Sequence, residues 1–183
     1  NGYNIAIGHN AGLSVTTGIE NTIIGGLAGD ALTTGISNTA LGMKALSSDT
    51  TGRYSVAIGH SALENQNFTG STEAYNVAVG FAAGNDITTG IKNVLIGGLA
   101  GGALTSGGEN VAIGYAALIS EDANGRNVAI GKSALTTQNA GAEAYNVAIG
   151  YEAGKAITTG TGNTFIGGFA GDALTTGTNN TAI

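Results

Sequence analysis

His9 and His60, the two histidines of the chain, share one context: Gly-His-Asn-Ala and Gly-His-Ser-Ala. A neutral imidazole can act as a base or a metal ligand. Either task needs further groups, an orienting or reacting partner for the first and additional ligands for the second. No second His and no carboxylate recurs beside them, and the equivalent places elsewhere hold Met43, Phe81, Tyr115, Lys132 and Tyr151. Both histidines are therefore expected to be surface or interface residues.

The remaining chemical motifs are weaker. Gly131-Lys132-Ser133 has the ending of a phosphate loop, but the glycine needed five residues before Gly131 is replaced by Arg126, and no helix pattern follows. The segment GGLAGDAL (Gly25 to Leu32) approaches the calcium-binding nonapeptide, but its spacing differs, and its Asp recurs only as Asp30 and Asp172, with Gly102 between. There is no Gly-x-Ser-x-Gly elbow, and with no Cys there is no thiol chemistry. The carboxylates form no recurring pair. No catalytic residue, metal ligand or cofactor-binding residue is assigned. Two loops of pattern Q-N…G…E-A-Y offer amide, aromatic and acidic groups suited to a glycan or receptor: Gln66, Phe68, Glu73 and Tyr75 in the first, Gln138, Glu143 and Tyr145 in the second. The simpler reading of each is a bulging turn.

These residues are carried on an unusual composition. Of 183 residues 33 are Gly, with no Pro, Cys or Trp and only 10% charged. Aliphatic residues are too frequent and the net charge of −6 too modest for a disordered segment. Six Lys and Arg spread along the chain supply no basic stripe for nucleic acid. No apolar run of about 18 residues is present to span a membrane.

The organising feature is a repeat. The element Asn-x-x-aliphatic-Gly begins at Asn4, Asn21, Asn38, Ser55, Asn76, Asn93, Asn110, Asn127, Asn146, Asn163 and Asn180, at spacings of 17 residues broken only by one of 21 and one of 19. Residues 1–183 read as one array in blocks of four turns, 4–75, 76–145 and an incomplete 146–183, each with GGLAG or GGFAG in its second turn. Neither end resembles a polar cap, so a piece of a longer array is expected.

Numbering each turn from its Asn, the short β-branched segment at positions two to four reads as a strand whose side chains alternate between faces. Positions two and four are expected to fill the interior. The invariant Ala at position eight is expected to lie against the core strand. At positions nine and twelve one apolar slot is filled by either of two routes. Turns with Gly at nine carry Val, Leu or Ile at twelve, and turns with Leu at nine carry none there. The Asn column is expected to stack amide on amide. Position three then points outward and is expected to form an oligomer interface: Ala6, Ile23, Ala40, Ala57, Ala78, Leu95, Ala112, Ala129, Ala148 and Phe165. On that reading Ala112→Asp dissociates or destabilises the assembly. A strand apolar on both faces is covered on both, and an apolar stripe along a rod marks an interface.

Asn-Val-Ala-Ile-Gly at Asn110–Gly114, Asn127–Gly131 and Asn146–Gly150 resembles the head repeats of trimeric autotransporter adhesins and the similar repeats of phage tail fibres. The likeness runs along essentially the whole chain, although the 17-residue turn exceeds the usual adhesin head turn. It implies an all-β parallel solenoid (β-roll) joined as a homotrimer along its length. It also implies an extracellular role, on a virion tail fibre or a bacterial cell surface, as a non-enzymatic shaft or head segment in adhesion or host recognition. The expected partners are the chain itself and a host receptor or glycan, with no nucleic acid, no membrane insertion and no cofactor. Two alternatives stand beside it. An ice-binding solenoid would present the recurrent Thr-Thr pairs, although these fail at Ala123-Asn124. A glycan-degrading spike would need an acidic pair.

Overall fold

A computed structural model describes residues 2–183 and contains one eleven-stranded parallel sheet. Its strands follow chain order: β1 (Ile5–Ile7), β2 (Thr22–Ile24), β3 (Thr39–Leu41), β4 (Val56–Ile58), β5 (Val77–Val79), β6 (Val94–Ile96), β7 (Val111–Ile113), β8 (Val128–Ile130), β9 (Val147–Ile149), β10 (Thr164–Ile166) and β11 (Thr181–Ala182). Each pairs in register with the next, so that Ala40 lies beside Ala57 and Ala57 beside Ala78. The expected parallel β-solenoid is the fold. At about 4.8 Å per strand the rod is about 50 Å long. No helix among the described residues is long and apolar enough to cross a membrane.

The strands are only two or three residues long, so most of each turn is corner. Four positions per turn bend the chain by adopting positive φ: the fifth, always Gly in complete turns, the ninth, which is Gly or Leu, and the seventh and the last, which carry side chains except at Gly162. Around β2 and β3 these are Gly25 (φ 135°), Leu27 (57°), Gly29 (46°) and Ser37 (56°). At position five only Gly fits, because a Cβ on Gly25 would lie 2.5 Å from the carbonyl oxygen of Gly42 in the next turn. The corners remain bonded from turn to turn, as when Gly29 N–H donates to Ala45 O (2.9 Å) and Leu27 N–H to His9 O (2.9 Å). Left-handed residues that would be costly in isolation are thus each held by a ladder.

The interior is the reverse of the expected one. Position three points inward: Ile23, Ala40, Ala57, Ala78, Leu95, Ala112, Ala129, Ala148 and Phe165 are all buried within their own chain. Positions two and four face outward. The physical reason is volume. Each turn already sends inward its position-eight Ala and a large residue from position nine or twelve, which leaves room for one side chain from the strand. Two β-branched residues per strand would not fit.

The slot at positions nine and twelve behaves as expected. Leu32, Ile87, Leu104 and Ile157 fill it from position twelve, and Leu46, Leu63, Leu118 and Leu135 fill it from position nine, all fully buried. The large position-three residues belong to the same packing. Phe165 occupies the space above Gly154 and Gly171, where added Cβ atoms would approach its ring to 2.7 and 2.4 Å. Leu95 likewise covers Gly84 and Gly101. Two successive turns with Gly at nine therefore accept one large residue at three, which is the origin of the four-turn block.

The Asn column is a ladder of buried amides. Asn110 Nδ2 donates to Asn93 Oδ1 (3.2 Å), which also accepts from the Asn110 N–H (3.0 Å), while Asn93 Nδ2 donates to Gly107 O (3.0 Å). At Ser55 the side chain is too short to continue it, and Gln66 bridges the gap. Its Nε2 donates to Ser55 Oγ (2.9 Å) and Asp49 Oδ2 (2.6 Å), and its Oε1 accepts from Asn76 Nδ2 (2.8 Å). In the next block Gln138 Oε1 accepts from Asn146 Nδ2 (2.9 Å), while Gln138 Nε2 and Glu121 Oε2 are buried without partners.

Candidate self-association surface

The outer face of the sheet is a strip four side chains wide. Its centre is two aliphatic or Thr columns from positions two and four, as in Val56 and Ile58, Val77 and Val79, Val94 and Ile96, and Val111 and Ile113. The position-four column stands furthest out, with Ile7 60%, Leu41 41% and Ile166 40% exposed. Register pairing carries both columns without a break from β1 to β10. Soluble surfaces seldom carry an apolar strip of this length uncovered.

Two borders flank this strip. One is formed by the residue just before the first position of each turn, including Tyr54, Tyr75, Lys92, Glu109, Arg126 and Tyr145. The other is formed by position six, including His60, Phe81, Tyr115, Lys132 and Tyr151. Within a border, side chains stack along the rod: Tyr54 on Tyr75 with centroids 5.2 Å apart, and His60 on Phe81 at 5.6 Å. Arg126 binds Glu109 (3.0 Å), Glu143 (2.9 Å) and the Tyr145 hydroxyl (2.8 Å). Glu109, foremost, then the Tyr145 hydroxyl and Glu143 push the Arg126 pKa up, and Arg126 holds the Glu109 carboxyl below its usual range. Such exposed pairs order the border more than they stabilise it. Lys132 lies over the Tyr151 ring at 5.6 Å.

The residues expected to form the oligomer interface are not at the surface. Apart from Ala6, which is exposed in the first turn, the position-three residues from Ile23 to Phe165 are interior and cannot meet another chain. The exposed apolar strip lies on the opposite side of the same strands. The loop assignments divide. Glu73, Tyr75, Glu143 and Tyr145 are exposed, and the Tyr75 hydroxyl donates to Glu73 Oε2 (3.1 Å). Gln66, Gln138 and Phe68 are buried and unavailable to a receptor. Gln66 completes the Asn ladder at Ser55, Gln138 accepts from Asn146 Nδ2 beside it, and Phe68 packs beside Gly52, where an added Cβ would lie 2.8 Å from its ring. The missed buried acids, Asp49 and Glu121, occupy position twelve in turns with Leu at nine. The absence of an aliphatic residue there was the only signal for them.

His60 is exposed, with its Nδ1 2.9 Å from Ser61 Oγ, and His9 is also exposed. Among the described residues no group of three or more His, Cys, Asp or Glu is placed to hold a metal ion. The leading Thr of the Thr-Thr pairs bonds between turns: Thr33 Oγ1 donates to Thr50 O (3.0 Å) and Thr88 Oγ1 to Thr105 O (3.2 Å). That use gives the leading Thr a part in tying successive turns together at the surface. Comparison of the chain with protein-family models, curated proteins and solved structures finds no match.

Proposed function

We propose that this chain is a non-enzymatic structural segment of an extracellular fibre, one that associates with copies of itself through the outer strand face and serves adhesion or host recognition. The observation that carries the reading is the unbroken outward-facing strip of positions two and four along β1 to β10, partly exposed in most turns and exposed at Ile7, Leu41, Ile96, Ile149 and Ile166. A rod stiffened by turn-to-turn bonding suits a load-bearing shaft, and burying the strip against like copies removes its apolar surface from water. Three copies, a virion or bacterial surface location, and a host receptor or glycan as second partner follow from the resemblance to adhesin heads and tail fibres. Within this reading the exposed Tyr and Glu of the two long loops are the residues offered to such a partner.

Light scattering on the purified segment tests the self-association. A mass three times the 17.8 kDa chain is expected. A single-chain mass at all accessible concentrations would remove the basis of the proposal.

A further inference from the structure

One turn breaks the corner rule of the others. Of the turns with 17 residues, all but one carry Gly at position fifteen; the turn Asn110–Arg126 carries Asn124. Elsewhere a side chain has no room there, since a Cβ on Gly18 would lie 2.5 Å from Gly35 O and one on Gly35 would lie 2.7 Å from Gly52 O. In the turn after Asn124 the chain runs out into the exposed loop Gly141–Glu143, where a Cβ on Gly141 would meet nothing within 4 Å. Asn124 is half-buried, and apart from Asn1 it is the only Asn followed by Gly. Its side-chain amide is held by one bond, from Nδ2 to Glu121 Oε1 (3.3 Å). Among the described residues the Gly125 N–H has no acceptor. The ladder is the opposite case. Asn93 and Asn110 are fully buried, with both ends of each side-chain amide bonded. The N–H that follows each is also taken: Val94 N–H donates to Asn110 O and Val111 N–H to Asn127 O, both at 2.9 Å.

We propose that Asn124-Gly125 is a site of spontaneous covalent modification, at which Asn124 cyclises onto the Gly125 nitrogen and is converted to aspartate and isoaspartate. Gly125 N attacks Asn124 Cγ. The N–Cγ bond forms, the Cγ–Nδ2 bond breaks, and Nδ2 departs as ammonia with the proton from Gly125. Water then opens the cyclic imide. Opening at the side-chain carbonyl leaves Asp; opening at the main-chain carbonyl leaves isoaspartate, with the main chain rerouted through Cγ. Water is the only co-reactant. Gly favours the closure, because it has no Cβ to crowd the nitrogen and its backbone reaches the required angles freely. Val and Thr, which follow the ladder Asn residues, are branched at Cβ and held in strands. The change is adverse for this corner. The bond from Nδ2 to Glu121 is lost, and the Asp product sets a new carboxylate against a buried acid. Asn124 O accepts from Asn110 Nδ2 (3.3 Å), and in isoaspartate that carbonyl becomes a free carboxylate outside the main chain. The rod is thereby loosened at one defined turn.

The test is peptide mapping of the purified chain, folded and in urea, after incubation at mildly alkaline pH. Trypsin releases Asn93–Arg126, which holds Asn93, Asn110 and Asn124 together. In the folded chain Asn124 is expected to exchange amide for acid about tenfold faster or more than Asn93 or Asn110, which react only when the ladder opens. Fragmentation places the mass gain, and an isoaspartate-specific methyltransferase detects the rerouted product. The melting temperature should fall as the modified fraction rises. Asn124→Gly restores the residue of the other corners and should show neither the gain at this site nor the fall. A folded chain left unmodified at Asn124, whether or not the unfolded chain reacts there, would overturn the site. So would equal conversion at Asn93 and Asn110, or an Asn124→Gly chain that loses stability on incubation as the native chain does.

Discussion

Ala112 and Ile113 are neighbours in β7 that point to opposite sides of the wall: Ala112 is fully buried in the solenoid and Ile113 stands partly exposed on the outer strip. A charge at the two positions should have unlike effects. Ala112→Asp places a carboxylate in a filled interior with no partner and should unfold the segment or cost several kcal/mol, about 3–5. Thermal melting by circular dichroism measures this. An Ala112→Asp chain that melts like the native one would show that position three is not interior.

The Gly at position nine and the large residue at position three should be coupled. A Cβ on Gly84 would lie 2.6 Å from Leu95 Cδ1 and 3.0 Å from Leu63 Cδ2. Gly84→Ala is expected to cost about 1–3 kcal/mol through overpacking, and Leu95→Ala about 2–5 kcal/mol through the cavity it leaves. The double variant should be less destabilised than the two effects combined, by about 1 kcal/mol or more, because the new methyl enters space that Leu95 vacates. Denaturant unfolding of the four chains closes the cycle, and strict additivity would contradict the packing.

Breaking the amide ladder should be costly at a single rung. Asn93→Ala removes the acceptor of the Asn110 N–H and Nδ2 and the donor to Gly107 O. Leaving such groups buried without partners costs about 1–3 kcal/mol each, so a loss of about 2–5 kcal/mol is expected. Hydrogen exchange should show the Asn110 amide losing protection first. Full retention of that protection would mean the ladder is incidental.

Glu121 gives the rod a pH dependence of predictable sign. Burial is the largest influence on its carboxyl and raises its pKa. Below the unfolded-state pKa it is neutral in both states. As pH rises toward the raised folded-state value, the unfolded chain ionises first and stability falls. Glu121→Gln should therefore raise the melting temperature at pH 7, by the equivalent of about 1–3 kcal/mol, and change it little at pH 4. The opposite order, stabilisation at pH 4 alone, would contradict it. Asp49 has the same sign of shift, but it accepts bonds from Gly52, Thr51 and Gln66, so its charge is better compensated.

How much of this was legible in the sequence depended on whether a pattern fixed a period or a direction. The spacing of Asn21, Asn38 and their successors set the turn length and the ladder. The exchange of Leu46 for Leu32 revealed the shared slot without coordinates. The facing of the strand did not follow, because both faces of Val-Ala-Ile are apolar and alternation alone cannot say which is inside. Only the volume already taken by Ala117 and Leu118 decides that Ala112, not Val111 or Ile113, turns inward. The large Ile23, Leu95 and Phe165 pack inside over Gly29, Gly101 and Gly171, contacts that an outward-facing position three does not suggest. Gln66 and Gln138 lie in loops whose polarity suggests solvent; Gln66 is buried where it fills the gap left by Ser55, and Gln138 where it accepts from Asn146 Nδ2.

The most direct test of the outer strip is the solution mass of an Ile58→Asp/Ile113→Asp chain beside that of the native segment. Both substitutions lie on the outer face and should leave the far-ultraviolet spectrum unchanged. The native segment is predicted to have a multiple of the 17.8 kDa chain mass and the variant a single-chain mass. A native segment of single-chain mass, or a folded variant that keeps the native mass, would contradict the claim that this face holds the copies together.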